Sequence, residues 1–88
     1  MRMIKLTGRE ATVMRAIGFT ESMLGSDIQD FTRMESEDVT DTLNGLVAAG
    51  FVESIPYREQ VQLAEMPVTA FEVNPAYVQE LKRALIRS

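Results

Sequence analysis

Apolar residues recur every three or four positions in three stretches of the chain, the spacing of an amphipathic α-helix. The three stripes are Val13, Met14 and Ile17; Val39, Leu43, Leu46 and Val47; and Val78, Leu81 and Leu85. Between the first two stripes we expect a shorter helix with Ile28 and Phe31 facing inward. The pattern therefore predicts four helices, the second of them short.

Capping residues predict where these helices begin and end. Thr7 and Glu10 have the spacing of a capping box, so the first helix is expected to begin at about residue 8. The other predicted N-caps are Ser26, Ser36 and Asn74, the last followed by Pro75. Gly18 and Gly50 are expected to end the first and third helices, because glycine readily adopts the left-handed conformation of a C-terminal cap.

Two strands are predicted between the third and the last helix. Residues 51–57 and 68–73 are rich in β-formers, and Pro56 near the end of the first strand suits a sheet edge. The intervening residues 58–67 form either a loop or a third short strand, because apolar and glutamine side chains alternate over residues 60–63. Residues 19–25 are expected to be a connector.

The predicted order is helix, short helix, helix, β-hairpin, helix, which is an α+β arrangement in a single domain of 88 residues. The stretch SDIQDFTRMESEDVTDTLNGLVAAGFVES carries Val39, Leu43 and Leu46, then Gly50 and Phe51. With this pattern the chain resembles the winged helix-turn-helix superfamily, in particular small prokaryotic regulators of the multiple-antibiotic-resistance and arsenic-repressor type. The resemblance implies a three-helix core and a wing over residues 7–73, to which residues 74–88 add a C-terminal helix.

The resemblance also implies a DNA-binding transcriptional regulator. In that superfamily the third helix enters the major groove and the wing contacts the backbone or minor groove. On a helical wheel the outermost positions of the third helix are Glu37, Asp41, Asn44 and Ala48. Asn44 could then read adenine, and Ser36 or Thr40 could reach phosphate. The candidate contacts to DNA or to a protein partner are Arg33, Ser36, Glu37, Thr40, Asp41, Asn44 and Arg58.

The distribution of charge disfavours DNA as the ligand of this helix. Residues 21–53 hold eight acidic residues and one arginine, a net charge of −7, whereas residues 1–20 carry +3 and residues 54–88 are balanced. Nonspecific affinity for DNA comes from cations that replace counterions at phosphates. The alternative is a protein-interaction module that uses the acidic third helix and an apolar wing against a basic partner. A separate basic patch for DNA would consist of Arg2, Lys5, Arg9 and Arg15.

Two smaller questions are left open by the pattern. Val61, Leu63 and Met66 in the wing either are exposed to a partner or pack on the core or a second subunit. Gly45 either permits close packing by the second helix or is merely tolerated at a cost to the helix of about 1 kcal/mol.

The stripe of Val78, Leu81 and Leu85 exceeds what we expect a small core to cover, so we predict a homodimer through the last helix.

Composition removes most catalytic chemistry. The chain has no cysteine and no histidine, so it offers neither a zinc site of the usual type nor a histidine-activated nucleophile. The dense acidic clusters, Asp27 with Asp30 and Glu35 with Glu37 and Asp38, are either a weak acid–base or cation site or a solvated face; we favour the solvated face. We therefore expect a protein that is not an enzyme and that uses no cofactor or metal.

Because no apolar run reaches the roughly 20 residues of a membrane span, we expect a cytoplasmic protein with no membrane partner.

Overall fold

The computed structural model describes residues 4–87, which form four α-helices and a three-stranded antiparallel sheet and so confirm the α+β class. In chain order the elements are α1 (Gly8–Ile17), β1 (Met23–Leu24), α2 (Gly25–Thr32), α3 (Ser36–Ala48), β2 (Val52–Ile55), β3 (Ala70–Val73) and α4 (Val78–Arg87). Two 3₁₀ turns, Met66–Val68 and Pro75–Tyr77, precede β3 and α4.

The start of α1 and the end of α3 are as the capping residues predict. The Thr7 N–H donates to Glu10 Oε1 at 2.8 Å, and the Glu10 N–H donates to Thr7 Oγ1 at 3.2 Å, which completes the capping box. At the end of α3, Gly50 has φ of 85° and its N–H donates to the Val47 carbonyl. The Phe51 N–H donates to the Leu46 carbonyl, so the helix ends in a Schellman motif.

The predicted N-caps are wrong by two residues in α2 and by one residue in α3. Ser26 and Ser36 lie inside their helices, and the N-cap positions are Leu24 and Glu35, neither with a side-chain cap. The Ser36 hydroxyl instead accepts a hydrogen bond from Gln29 Nε2 at 2.9 Å. A tertiary contact between α2 and α3 therefore uses the oxygen that we expected to cap α3.

The third strand of the sheet comes from the segment that we predicted to be a connector. Strand β1 pairs antiparallel with β3, Met23 opposite Phe71 and Leu24 opposite Ala70. Residues 58–65 form a loop without strand pairing, so the alternative of a strand there is wrong. Strand order is β1-β3-β2, which leaves β2 at an edge, as Pro56 suggests.

The core lies between the helices and the inward face of the sheet. Its largest fully buried side chains are Phe71, Met14, Ile28, Leu43, Leu46, Met66 and Leu81. Burial of Val61 and Met66 settles their role as core packing, whereas Leu63 remains 46% exposed. Phe31 was expected to face inward but is 68% exposed, whereas Ile28, three residues earlier on α2, is fully buried.

The glycine that permits close packing is Gly25, not Gly45. A Cβ on Gly45 would meet open space, so the interpretation that α2 packs closely there is wrong. A Cβ on Gly25 would overlap the backbone carbonyl of Met66 and crowd its sulfur. The start of α2 therefore lies against the 3₁₀ turn that precedes β3.

The last helix is covered by the core of its own chain. Asn74 Oδ1 accepts from the Ala76 N–H at 3.0 Å, so Asn74 is an N-cap before Pro75 as predicted, but it caps the 3₁₀ turn Pro75–Tyr77 that leads into α4. Leu81 is fully buried, and Val78 and Leu85 are half-buried against the core. Because the core covers this stripe, the stripe no longer gives a reason to expect a dimer. The oligomeric state itself stays a prediction.

None of the described helices is long and apolar enough to cross a membrane.

Candidate functional site

The outward face of α3 and the β2–β3 loop, residues 56–65, enclose a shallow cleft of about 250 Å³, here called the α3 cleft. The helix contributes Glu37, Thr40, Asp41 and Asn44, and the loop contributes Gln60, Val61, Gln62 and Leu63. A second hollow beside it is lined by Val47, Ala48, Tyr57 and Glu59. The two hollows run along one side of the helix that the sequence pattern singles out.

The far wall of the cleft is held in place by Asn44. Its Nδ2 donates to the Val61 carbonyl at 3.0 Å, and its Oδ1 accepts from the Val61 N–H at 2.8 Å. Both polar groups of the Val61 backbone are thus satisfied by a single side chain, while the Val61 side chain is buried in the core. The loop is therefore fastened to α3 at the centre of the cleft.

Two further contacts shape the loop. The Ser54 hydroxyl accepts from the Arg58 N–H at 2.8 Å, which closes the turn after β2. The Arg58 guanidinium lies 3.4 Å from a carboxylate oxygen of Glu65, at the other end of the loop. Both side chains of this pair are partly exposed, so the pair offsets the charge of Arg58 but holds it only weakly.

The predicted contact residues fall into two groups. The exposed group, as expected for side chains that meet a ligand, consists of Arg33, Glu37, Asp41 and Arg58. The other three α3 residues are engaged within the chain: Thr40 is buried and donates to the Ser36 carbonyl, Ser36 accepts from Gln29, and Asn44 binds Val61. In this conformation the Asn44 amide is bound to Val61 and the Thr40 hydroxyl donates to a carbonyl, so neither is offered to DNA. Ser36 uses its hydroxyl oxygen only as an acceptor, so its hydroxyl hydrogen is still able to reach phosphate.

The cleft is acidic and no described basic side chain lines it or the neighbouring hollow. Glu37 and Asp41 stand one helical turn apart on α3, and Glu59 extends the negative charge onto the loop. Carboxylates in this position repel a polyanion and attract cations. The negative charge expected on the outward side of α3 is therefore present on the folded surface.

The predicted basic patch near the N-terminus is largely engaged in the fold. Arg9 pairs with Asp38 at 3.3 Å, and Arg15 Nη2 donates to the Leu85 carbonyl at 3.1 Å. Lys5 is exposed, and Arg2 lies outside the described residues. Arg9 consequently offsets the charge at the start of α3, and Arg15 joins α1 to α4.

The acidic clusters do not gather into a metal centre. Within residues 4–87, no group of three or more potential ligand side chains is placed to hold a metal ion. Glu37 contributes to the α3 cleft, whereas Asp38 from the same cluster is paired with Arg9.

Sequence reasoning did not single out Tyr57, Glu59, Gln60 or Gln62 as site residues. Tyr57 is 73% exposed beside the acidic face. In the sequence it stands out only as an aromatic residue directly after Pro56, at the end of a predicted strand.

Comparisons with known proteins found no family model that matches this chain and no similar curated protein or solved structure.

Proposed function

We propose that this chain is a non-catalytic, winged-helix-like binding protein whose α3 cleft binds a basic segment of a partner protein. One observation carries the proposal. Glu37 and Asp41 are exposed on the α3 side of the cleft, and the loop residues that form the other side carry no positive charge. The order of elements, with α2 and α3 followed by a hairpin, supports the winged-helix resemblance. The sheet, in which β1 adds a third strand, is compatible with it.

The rim of the cleft suggests the chemistry of the partner. Leu63 is exposed on one wall, and the Tyr57 ring is exposed beside Ala48 and Glu59 in the second hollow. A guanidinium can form a charge-assisted hydrogen bond with a carboxylate and stack on an aromatic ring. We therefore expect a segment in which arginines alternate with apolar side chains.

DNA binding by a transcriptional regulator is the second candidate, and the position of α3 beside the hairpin favours it. Its difficulty is electrostatic, since binding through this face would bring phosphates against Glu37 and Asp41. Asn44, the side chain best suited to read a base, is already bound to Val61. For these reasons a basic protein segment fits the surface better than a duplex.

The test is a pair of titrations on the whole chain. One uses a labelled peptide of alternating arginine and leucine, and the other a labelled random-sequence duplex at about 50 mM salt, where electrostatic binding is strongest. We expect saturable binding of the peptide and none of the duplex. Saturable duplex binding that weakens steeply with salt, without peptide binding, would establish the regulator instead.

A matched pair of variants locates the binding surface. Glu37→Gln with Asp41→Asn removes two charges from the cleft, and Asp27→Asn with Asp30→Asn removes two from the exposed part of α2. We expect the first pair to weaken peptide binding about tenfold, equivalent to about 1.4 kcal/mol, and the second to leave it nearly unchanged. Equal losses in both would show that only net charge matters, and would contradict a specific cleft.

A further inference from the structure

The side of the sheet that faces away from the core carries a continuous apolar row. Leu24 of β1 and Ile55 of β2 both stand opposite Ala70 of β3, so the three side chains lie next to one another across all three strands. Leu24 and Ile55 are 43% and 44% exposed, and Ala70 is half-buried between them. We call these three residues, together with Glu53 and Glu72, the outer sheet face.

Two carboxylates lie directly beside this row. Glu53 and Glu72 are cross-strand partners on the same face as Ile55 and Ala70, and like charges placed opposite each other are unfavourable. Among the described residues neither carboxylate has an ion-pair partner. The outer sheet face therefore combines exposed apolar surface with negative charge that a cation would stabilise.

The outward side of α4 has the complementary character. Ile86 is 84% exposed, the most exposed large apolar side chain in the described part of the chain. Lys82 lies one turn before it, with its ammonium 5.5 Å from the centroid of the Phe19 ring, and Arg87 lies directly after it. Both side chains are exposed. One apolar side chain is thus flanked by cations, whereas the opposite side of α4 is buried through Leu81 and Ala84.

We propose that the outer sheet face binds α4 of a second copy of this chain. Ile86 of one copy covers the row of Leu24, Ala70 and Ile55 of the other, and Lys82 and Arg87 approach Glu53 and Glu72. This contact differs from the predicted dimer through Val78, Leu81 and Leu85, which the core of each chain already covers. Because the surface is small, the association is weak and depends on concentration.

A second copy is the favoured occupant because this chain itself supplies both complementary surfaces. The α3 cleft is also acidic, but its walls are mainly polar and offer Ile86 only the exposed side chain of Leu63. The outer sheet face instead places its carboxylates beside an apolar row that spans three strands. The contact is independent of the α3 cleft, so it stands or falls separately from the proposed function.

The experiment is sedimentation equilibrium of the whole chain with two single variants. Ile55→Lys changes the outer sheet face and Ile86→Glu changes α4; both side chains are substantially exposed, and circular dichroism checks that each variant folds. We expect the wild type to associate at high micromolar to millimolar concentration and each variant alone to associate at least about tenfold more weakly. An equimolar mixture of the two variants should form a heterodimer, because each copy retains the surface that the other lacks.

Two control variants decide whether the contact is specific. Phe31→Lys removes an exposed apolar side chain of α2 and should leave self-association unchanged. Glu37→Gln with Asp41→Asn should also leave it unchanged, whereas Glu53→Gln with Glu72→Gln should weaken it. A monomeric wild type at millimolar concentration, no complex in the mixture, or loss of association in either control would overturn the proposal. Peptide binding in the α3 cleft should persist in the Ile55→Lys variant, which separates the two proposals.

Discussion

The side-chain amide of Asn44 makes two hydrogen bonds to the backbone of Val61, one as donor and one as acceptor, at 3.0 and 2.8 Å. A backbone residue in a strand would satisfy Val61 in the same manner, but here the partner is a side chain on α3. The contact joins the helix to the β2–β3 loop and so defines the α3 cleft. It also gives Asn44 a structural role, and the contact of Asn44 with a base stays a prediction.

Asn44→Ala should therefore lower the free energy of unfolding by about 1–3 kcal/mol, because the Val61 N–H and carbonyl lose their partners. Urea unfolding measures this change, and hydrogen exchange of the Val61 amide shows its local effect. Asp41→Ala, on the exposed face one turn earlier, is the control and should change stability by less than about 0.5 kcal/mol. An Asn44→Ala protein in which the Val61 amide is still protected would contradict the role given to this contact.

The two glycines of α2 and α3 should respond in opposite directions to alanine. Gly25→Ala places a methyl group against the Met66 carbonyl and should destabilise the protein by about 1–3 kcal/mol or more. Gly45→Ala places it in open space within a helix and should stabilise by about 0.5–1 kcal/mol. Thermal unfolding of both variants beside the wild type tests the pair. A stabilised Gly25→Ala protein would show that α2 and the turn at Met66 are not in close contact.

The serine and threonine residues near helix starts should also differ. Thr7→Ala removes the acceptor that the Glu10 N–H uses and should cost about 1 kcal/mol. Ser26→Ala should stay within about 0.5 kcal/mol, since Ser26 lies inside α2 and makes no capping bond. Chemical denaturation of the two variants distinguishes the cases. Equal losses of stability would mean that Ser26 caps α2 after all.

The apolar residues of α2 offer a third comparison. Ile28→Ala should destabilise the protein by about 2–5 kcal/mol, because it leaves a cavity at a fully buried position. Phe31→Ala should change stability by less than about 0.5 kcal/mol, although the aromatic side chain is larger, because most of it is already in water. If Phe31→Ala were the more destabilising variant, the orientation of α2 described above would be wrong.

Several features that depend on neighbours in sequence were predicted correctly, although the N-caps of α2 and α3 were not. The start of α1, the Schellman motif at Gly50 and the N-cap at Asn74 each rest on hydrogen bonds that span only a few residues. The buried stripe of α3 follows from helical periodicity, and so does the exposure of Glu37 and Asp41 on its other side.

The sequence by itself determined the four helices, the α+β class and the acidic outward side of α3, because short-range hydrogen bonding and periodicity determine these features. Only the tertiary structure decided that Met23–Leu24 would form a strand, that Phe31 would remain exposed and that Asn44 would hold the loop. A two-residue strand has no periodicity of its own, and Asn44 and Val61 are 17 residues apart. Such contacts exist only after packing brings distant segments together, so the local pattern of residues carries no sign of them.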